Sequence, residues 1–174
     1  MQSFNIRAAI LTVAILFVTA FGVNAQSYYR NGRIPADLKI TLVRGVCFGR
    51  CPAYELTIDS RGNVRFNGKH FTRVEGAARD KIRRAQVREI LREFDTAEFR
   101  ALRPNYNTPA VCGGLATDLP SETITITARG RTKTVHHYYG CLGKRVRDEL
   151  KRLSTLGKKI DDLTGSEKWV KETR

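Results

Sequence analysis

The 174-residue chain has no cysteine before Cys47, and Arg7 is the sole charged residue in its first 25 positions. No thiol is therefore available near the start to carry a lipid anchor. An apolar run over residues 8–22 follows Arg7 and ends in Val23-Asn24-Ala25, just ahead of Gln26. A basic start, a short apolar run and an A-x-A-like site are the order of a secretory signal peptide. The run is shorter than the ~20 residues a spanning helix needs. Residues 1–25 are thus expected to be a cleaved signal, leaving a periplasmic or secreted protein with no stable membrane anchor. No second long apolar run occurs, so no further span is expected.

Acidic residues are also scarce. Asp and Glu number 17 against 31 Lys and Arg, a formal charge of +14. Such a surplus favours anionic partners. For an exported chain these are an anionic envelope polymer or an acidic protein, with nucleic acid not expected. The cations are spread along the chain and interleave with acids in both predicted helices, which a solvated basic surface also explains. Histidine is confined to His70, His136 and His137. Neighbours on a strand point to opposite faces, so His136 and His137 do not share an ion, and no zinc-like spacing remains. No metal or cofactor is expected.

What is present begins with four cysteines, Cys47, Cys51, Cys112 and Cys141. An even count in an exported chain points to disulfides. Four cysteines allow three pairings, among which sequence does not choose. The local set, Cys47–Cys51 with Cys112–Cys141, is the expectation. By chain entropy the longer loop would contribute ~3–4 kcal/mol and the shorter ~2 kcal/mol, so the small bridge shapes a turn more than it stabilises the domain. Cys47-x-x-x-Cys51 is not a C-x-x-C motif and lacks a βαβ setting. A structural role is preferred to redox exchange, although Arg44 and Arg50 could lower a thiol pKa.

Residues 26–37 read as a flexible N-terminal arm and residues 38–170 as one domain. Alternation predicts strands at 39–44 and 53–59, a turn at Ser60-Arg61-Gly62-Asn63, a third strand at 64–66 and a fourth at 71–75. Val87, Ile90, Leu91 and Phe94 recur on one helical face and predict a helix over 84–94. On another face Arg84, Arg88 and Arg92 line up. Residues 104–121 form a long irregular stretch, and such stretches are often functional. A second hairpin follows at 123–128 and 132–137. A helix over 144–163 then carries Gly157 on its apolar stripe, which permits close approach to a sheet or marks a break. Trp169-Val170 is placed to fold back on the core. The class is α+β: an antiparallel sheet of five to six strands in hairpins with two helices on one face.

Cys47-Phe48-Gly49-x-Cys51-Pro52-x-Tyr54, followed by an alternating strand and a Gly-containing hairpin, resembles a family of exported bacterial proteins known as domain of unknown function 6438. His70-Phe71, Val74, Gly76, Phe94, Phe99, Leu102, Tyr106, the run Thr117-Asp118-Leu119-Pro120, Lys133, Val135, His136, Gly140, Ile160-Asp161 and Trp169 extend the likeness over residues 38–170. Two departures stand out. No proline precedes the last helix at Gly143-Lys144-Arg145, and Ala110-Val111-Cys112-Gly113-Gly114 lengthens the loop before Asp118. The resemblance implies a small exported domain and supplies no catalytic residue.

The candidate binding residues are Arg50, Asp118, Arg129, Arg131, Lys133 and His137. Arg129, Arg131 and Lys133 alternate on a hairpin. Lys144, Arg145, Arg147, Lys151 and Arg152 follow, with Tyr138-Tyr139 between, a mixture that suits phosphates or sugars. The expected role is a non-catalytic binding or structural module of the cell envelope with a basic surface. The alternative is an envelope enzyme or inhibitor with its site in the 104–121 loop, drawing on Asp118, His137 and Tyr106. Ser121 has no nucleophile-elbow context. Asp118 before Leu119-Pro120 equally suits a turn.

Overall fold

A computed structural model describes residues 27–29 and 32–170. The expected signal peptide lies outside the described residues. Among these residues no helix is long and apolar enough to cross a membrane.

Strands β1 (Lys39–Arg44), β2 (Ala53–Asp59), β3 (Asn63–His70) and β4 (Gly76–Lys81) lead to helix α1 (Arg84–Thr96). A two-residue strand β5 (Asn105–Tyr106) and a single-turn helix α2 (Pro109–Cys112) follow. Then come β6 (Ser121–Ala128), β7 (Arg131–Tyr138), a 3-10 turn (Lys144–Val146), α3 (Arg147–Thr164) and α4 (Glu167–Val170). The strands form one seven-stranded sheet in the order β4-β3-β2-β1-β6-β7-β5. Every pairing is antiparallel except β5 with β7, which is parallel.

The α+β class stands, but the count of strands and helices is corrected. The strand expected at 71–75 is a turn. Phe71 takes φ 52° and Gly76 φ 76°, so the chain leaves the ladder at one and re-enters at the other. The fourth strand is Gly76–Lys81, an exposed charged run that alternation could not reveal. The extra strand β5 and the helix α2 both come from the stretch read as irregular. Pro109 suits the first turn of α2, where its missing N–H costs nothing.

Alternation sets the core. Ile40, Leu42, Leu56, Ile58, Val64, Phe66, Ile124, Ile126 and Val135 are buried on one sheet face. Val87, Ile90, Leu91 and Phe94 of α1 and Leu153, Leu156 and Ile160 of α3 cover them. Each such side chain contributes roughly 1.5–3 kcal/mol of transfer free energy. Gln86 joins the two helices by donating to the Leu163 carbonyl at 2.7 Å. Trp169 packs back on Phe66 with ring centroids 5.0 Å apart. The other sheet face carries Thr41, Thr57, Thr123, Thr125, Thr127 and their polar neighbours, half-buried or exposed.

The three described residues at 27–29, in the segment read as an arm, pack on α1. The Asp95 carboxylate accepts the Ser27 hydroxyl at 2.5 Å and the Tyr28 N–H at 2.7 Å. Tyr28 is buried against Phe94 at 5.6 Å.

Candidate functional site

Three features stand out, and the first two lie at one end of the sheet, where β1, β3, β5 and β7 finish and β2, β4 and β6 begin. The first is a polar row on the core face. Tyr54 of β2 stands opposite Arg44 of β1, Arg44 opposite Glu122 of β6, and Glu122 opposite His137 of β7. Tyr106 of β5 is the register partner of His137. Alternation dictates this: Arg44 has the parity of Leu42, Glu122 that of Ile124, and His137 that of Val135. Their side chains therefore point inward beneath the helices.

The row is cross-linked. Arg44 donates to Glu122 Oε2 at 2.6 Å and, through its other terminal nitrogen, to Asp161 Oδ2 of α3 at 2.8 Å. Tyr54 donates its hydroxyl to Asp161 Oδ1 at 2.8 Å, and Ser166 donates to the same oxygen at 2.7 Å. His137 Nδ1 lies 3.1 Å from Glu122 Oε1, and its ring stacks on Tyr139 at 4.4 Å. Glu122 is wholly buried. Burial opposes the charge on Arg44, but Glu122 and Asp161 outweigh it and raise its pKa. Burial, reinforced by the Asp161 charge, pushes the Tyr54 phenol up. Tyr139 is raised by burial first and by Glu122 second. Gly157 lets α3 come down onto this row. A Cβ there would stand 2.3 Å from Glu122 Oε2 and 3.0 Å from Arg44 Nη2. These are groups bound to one another, a geometry that holds α3 on the sheet and keeps charge fixed.

The second feature is the loop layer above the row. The bridges are Cys47–Cys51 and Cys112–Cys141. The first closes the β1–β2 loop, and Arg50 lies over the Phe71 ring at 5.9 Å. The Phe48 N–H donates to the Asp118 carbonyl at 3.1 Å. The second bridge ties α2 to the chain after β7, beside an isolated pairing of Leu115 with Cys141. Asp118 is exposed, at φ 69°, and accepts the Thr117 hydroxyl at 3.0 Å. It stands in a turn, apart from the buried His137, and Tyr106 instead donates its hydroxyl to Glu149. Asp118, His137 and Tyr106 are not gathered into one polar site.

The third feature is cationic. The hairpin cations do not form one ridge. Arg129 sits in the β6–β7 turn at φ 56°, where Asp37 accepts its N–H at 2.8 Å. Lys133 donates its ammonium to the Leu102 carbonyl at 2.6 Å, and Arg131 is exposed on β7. On the open face the sheet places another pair. Arg65 of β3 is directly opposite Arg79 of β4, and both are exposed. Among the described residues neither makes an ion pair.

The pinned turn, strand β2 and the glycine hairpin at Gly62 all lie within residues 38–164, which match the sequence profile of a known family described as domain of unknown function (DUF6438). The chain belongs to the DUF6438 family. A search of curated proteins finds no match. The matched segment of the DUF6438 domain runs from the residue before β1 to the last residue of α3. It contains the whole sheet, the two disulfides and the polar row; of the residues whose contacts are given above, Ser27, Tyr28, Asp37, Ser166 and Trp169 fall outside it. Sequence reasoning singled out His137 and quoted Tyr54 and Asp161 only as marks of resemblance. It missed Arg44 and Glu122 as site residues. The signal that finds them is parity, since each charge sits two residues from a buried aliphatic on the same strand.

Proposed function

We propose that the domain is an exported, non-catalytic binding module of the cell envelope that holds an anionic polymer on the open face of its sheet. The observation that carries this reading is the Arg65–Arg79 pair. Like charges directly opposite in an antiparallel ladder are destabilising. Two guanidiniums in that position are favourable when an anion lies between them. Asn67 follows Arg65 on the same face of β3 and Thr57 is its partner on β2, so an amide and a hydroxyl stand beside the cations, whereas the Asn63 amide is already given to Asp59 at 2.7 Å. Sugars and phosphates of an extended acidic chain suit such a flat polar surface. Arg131 and Lys133 share the inward phase of Val135 on β7, so the hairpin adds only distant attraction and is not part of the binding face.

The two disulfide bridges support export. A closed polar row and the separation of Asp118 from His137 favour binding over hydrolysis. The test is retention on heparin and dextran sulfate resins. Arg65→Gln/Arg79→Gln is expected to elute at clearly lower salt than Arg84→Gln/Arg88→Gln, which removes equal charge from α1. Equal elution of the two variants sinks the proposal.

A further inference from the structure

Every large apolar side chain that is exposed among the described residues lies at one end of the molecule: Val46, Phe48, Phe71, Leu115, Leu119 and Leu142. Topology requires this. They occupy the loop between β1 and β2, the turn between β3 and β4, the loop entering β6 and the loop leaving β7. All four connections open at the same edge of the sheet, where Arg44, Tyr54, Gly68, Glu122 and His137 form a row. The loops touch one another through the Arg50–Phe71 contact, the Phe48–Asp118 hydrogen bond and the Leu142 N–H, which donates to Gly114 at 3.3 Å. Phe48 is 88% exposed and Leu142 65%. Phe48 is held at the tip of a five-residue disulfide loop, so little conformational entropy is lost when it is buried.

Scattered exposed apolar residues need no explanation, but a group confined to one rim marks an interaction surface. Its charge identifies the partner. Arg50, Arg73, Lys144 and Arg145 border the apolar side chains, against Glu75 and Asp118. A second copy of the chain would bring two basic borders together and be repelled. The side chains also stand on separate loop tips and do not line a single groove, so they fit a fluid partner better than a rigid one. We infer that this end inserts into the surface of an anionic phospholipid bilayer, with Phe48 and Leu142 entering the acyl boundary and the bordering cations meeting the headgroups. This surface is distinct from the open sheet face, and the inference does not rest on the polymer reading.

The test places a reporter at the tip. In Phe48→Trp, the introduced indole is expected to shift its emission to the blue in vesicles of phosphatidylglycerol and phosphatidylethanolamine. Brominated acyl chains in those vesicles should quench it, with a much smaller response in phosphatidylcholine vesicles. The buried Trp169 of the parent chain should not respond. Adding Leu142→Ser should weaken vesicle partitioning by about tenfold, the scale expected for one buried large apolar side chain, with circular dichroism unchanged. Arg79→Glu should leave the response intact. No blue shift or quenching with vesicles overturns the inference, and so does an equal response in phosphatidylcholine. A shift that grows with protein concentration and needs no vesicles overturns it in favour of self-association.

Discussion

Replacing Gly157 with alanine sets two effects against each other. In an ordinary helix interior the change stabilises by about 1 kcal/mol, because alanine has the better helix propensity. Here the new Cβ would lie 2.3 Å from Glu122 Oε2, 3.3 Å from Glu122 Cδ and 3.0 Å from Arg44 Nη2. Glu122 cannot swing away, since it is wholly buried and bound to Arg44 at 2.6 Å and His137 at 3.1 Å. Either the ion pair opens or α3 lifts. Breaking a buried pair costs about 3–5 kcal/mol. Arg44 keeps Asp161 and some solvent, so the lower end applies and the net loss is about 2 kcal/mol. For a chain of this size that lowers Tm by roughly 4–8 °C. Denaturant unfolding with the disulfides intact measures it, and a double-mutant cycle decides its origin. In a Glu122→Thr background the space is free, and Gly157→Ala should be neutral or stabilising by up to ~1 kcal/mol. An equal loss in both backgrounds, or a gain in the native background, refutes the reasoning.

Replacing Cys112 and Cys141 together by alanine should lower unfolding free energy by ~3–4 kcal/mol, and replacing Cys47 and Cys51 by only ~2 kcal/mol, both read from denaturant midpoints. Arg79→Glu puts opposite charges across β3 and β4 and should stabilise by ~0.2–1 kcal/mol while weakening polymer binding, a divergence that a purely structural arginine would not produce. Burial holds Tyr28, Tyr54, Tyr106 and Tyr139 above their ordinary pKa, aided by Asp161 at Tyr54 and Glu149 at Tyr106. A raised native pKa means this contribution is complete below the unfolded value of about 10 and is lost as pH climbs through the native one. Stability should therefore fall above about pH 10, with these phenols ionising together with unfolding in an ultraviolet titration. Smooth ionisation of all the tyrosines in the folded chain contradicts this.

Much of the fold could be read from periodicity because buried strands write it plainly. Ile40 and Leu42, Leu56 and Ile58, and Ile124 and Ile126 alternate with polar residues, and the structure pairs those strands in that phase. Gly-Ala-Ala-Arg-Asp-Lys at 76–81 carries no such phase because β4 is an exposed edge, where the ladder and not burial specifies the strand. Tyr106 and Cys112 define elements only through distant partners, His137 and Cys141, so no local signal marks β5 or α2. The polar row was half visible. His137 drew attention as a titratable group, whereas Arg44 and Glu122 read as ordinary strand-end charges until their parity with Leu42 and Ile124 was followed. Arg65 and Arg79 lie 14 positions apart and become a pair only through the register of β3 with β4.

The outer edge of β7 has a consequence for life at high concentration. The strand β5 pairs with β7 over His136 and His137, and among the described residues no other strand pairs with the outer edge of β7 along its earlier stretch. Uncovered strand edges template pairing between molecules, and lysine and charge on the edge are the usual deterrents. Arg131 and Lys133 stand on that stretch. Whatever else the hairpin cations do, they make a second copy of β7 an unwelcome neighbour, so the basicity of this chain also guards it against growing into fibres.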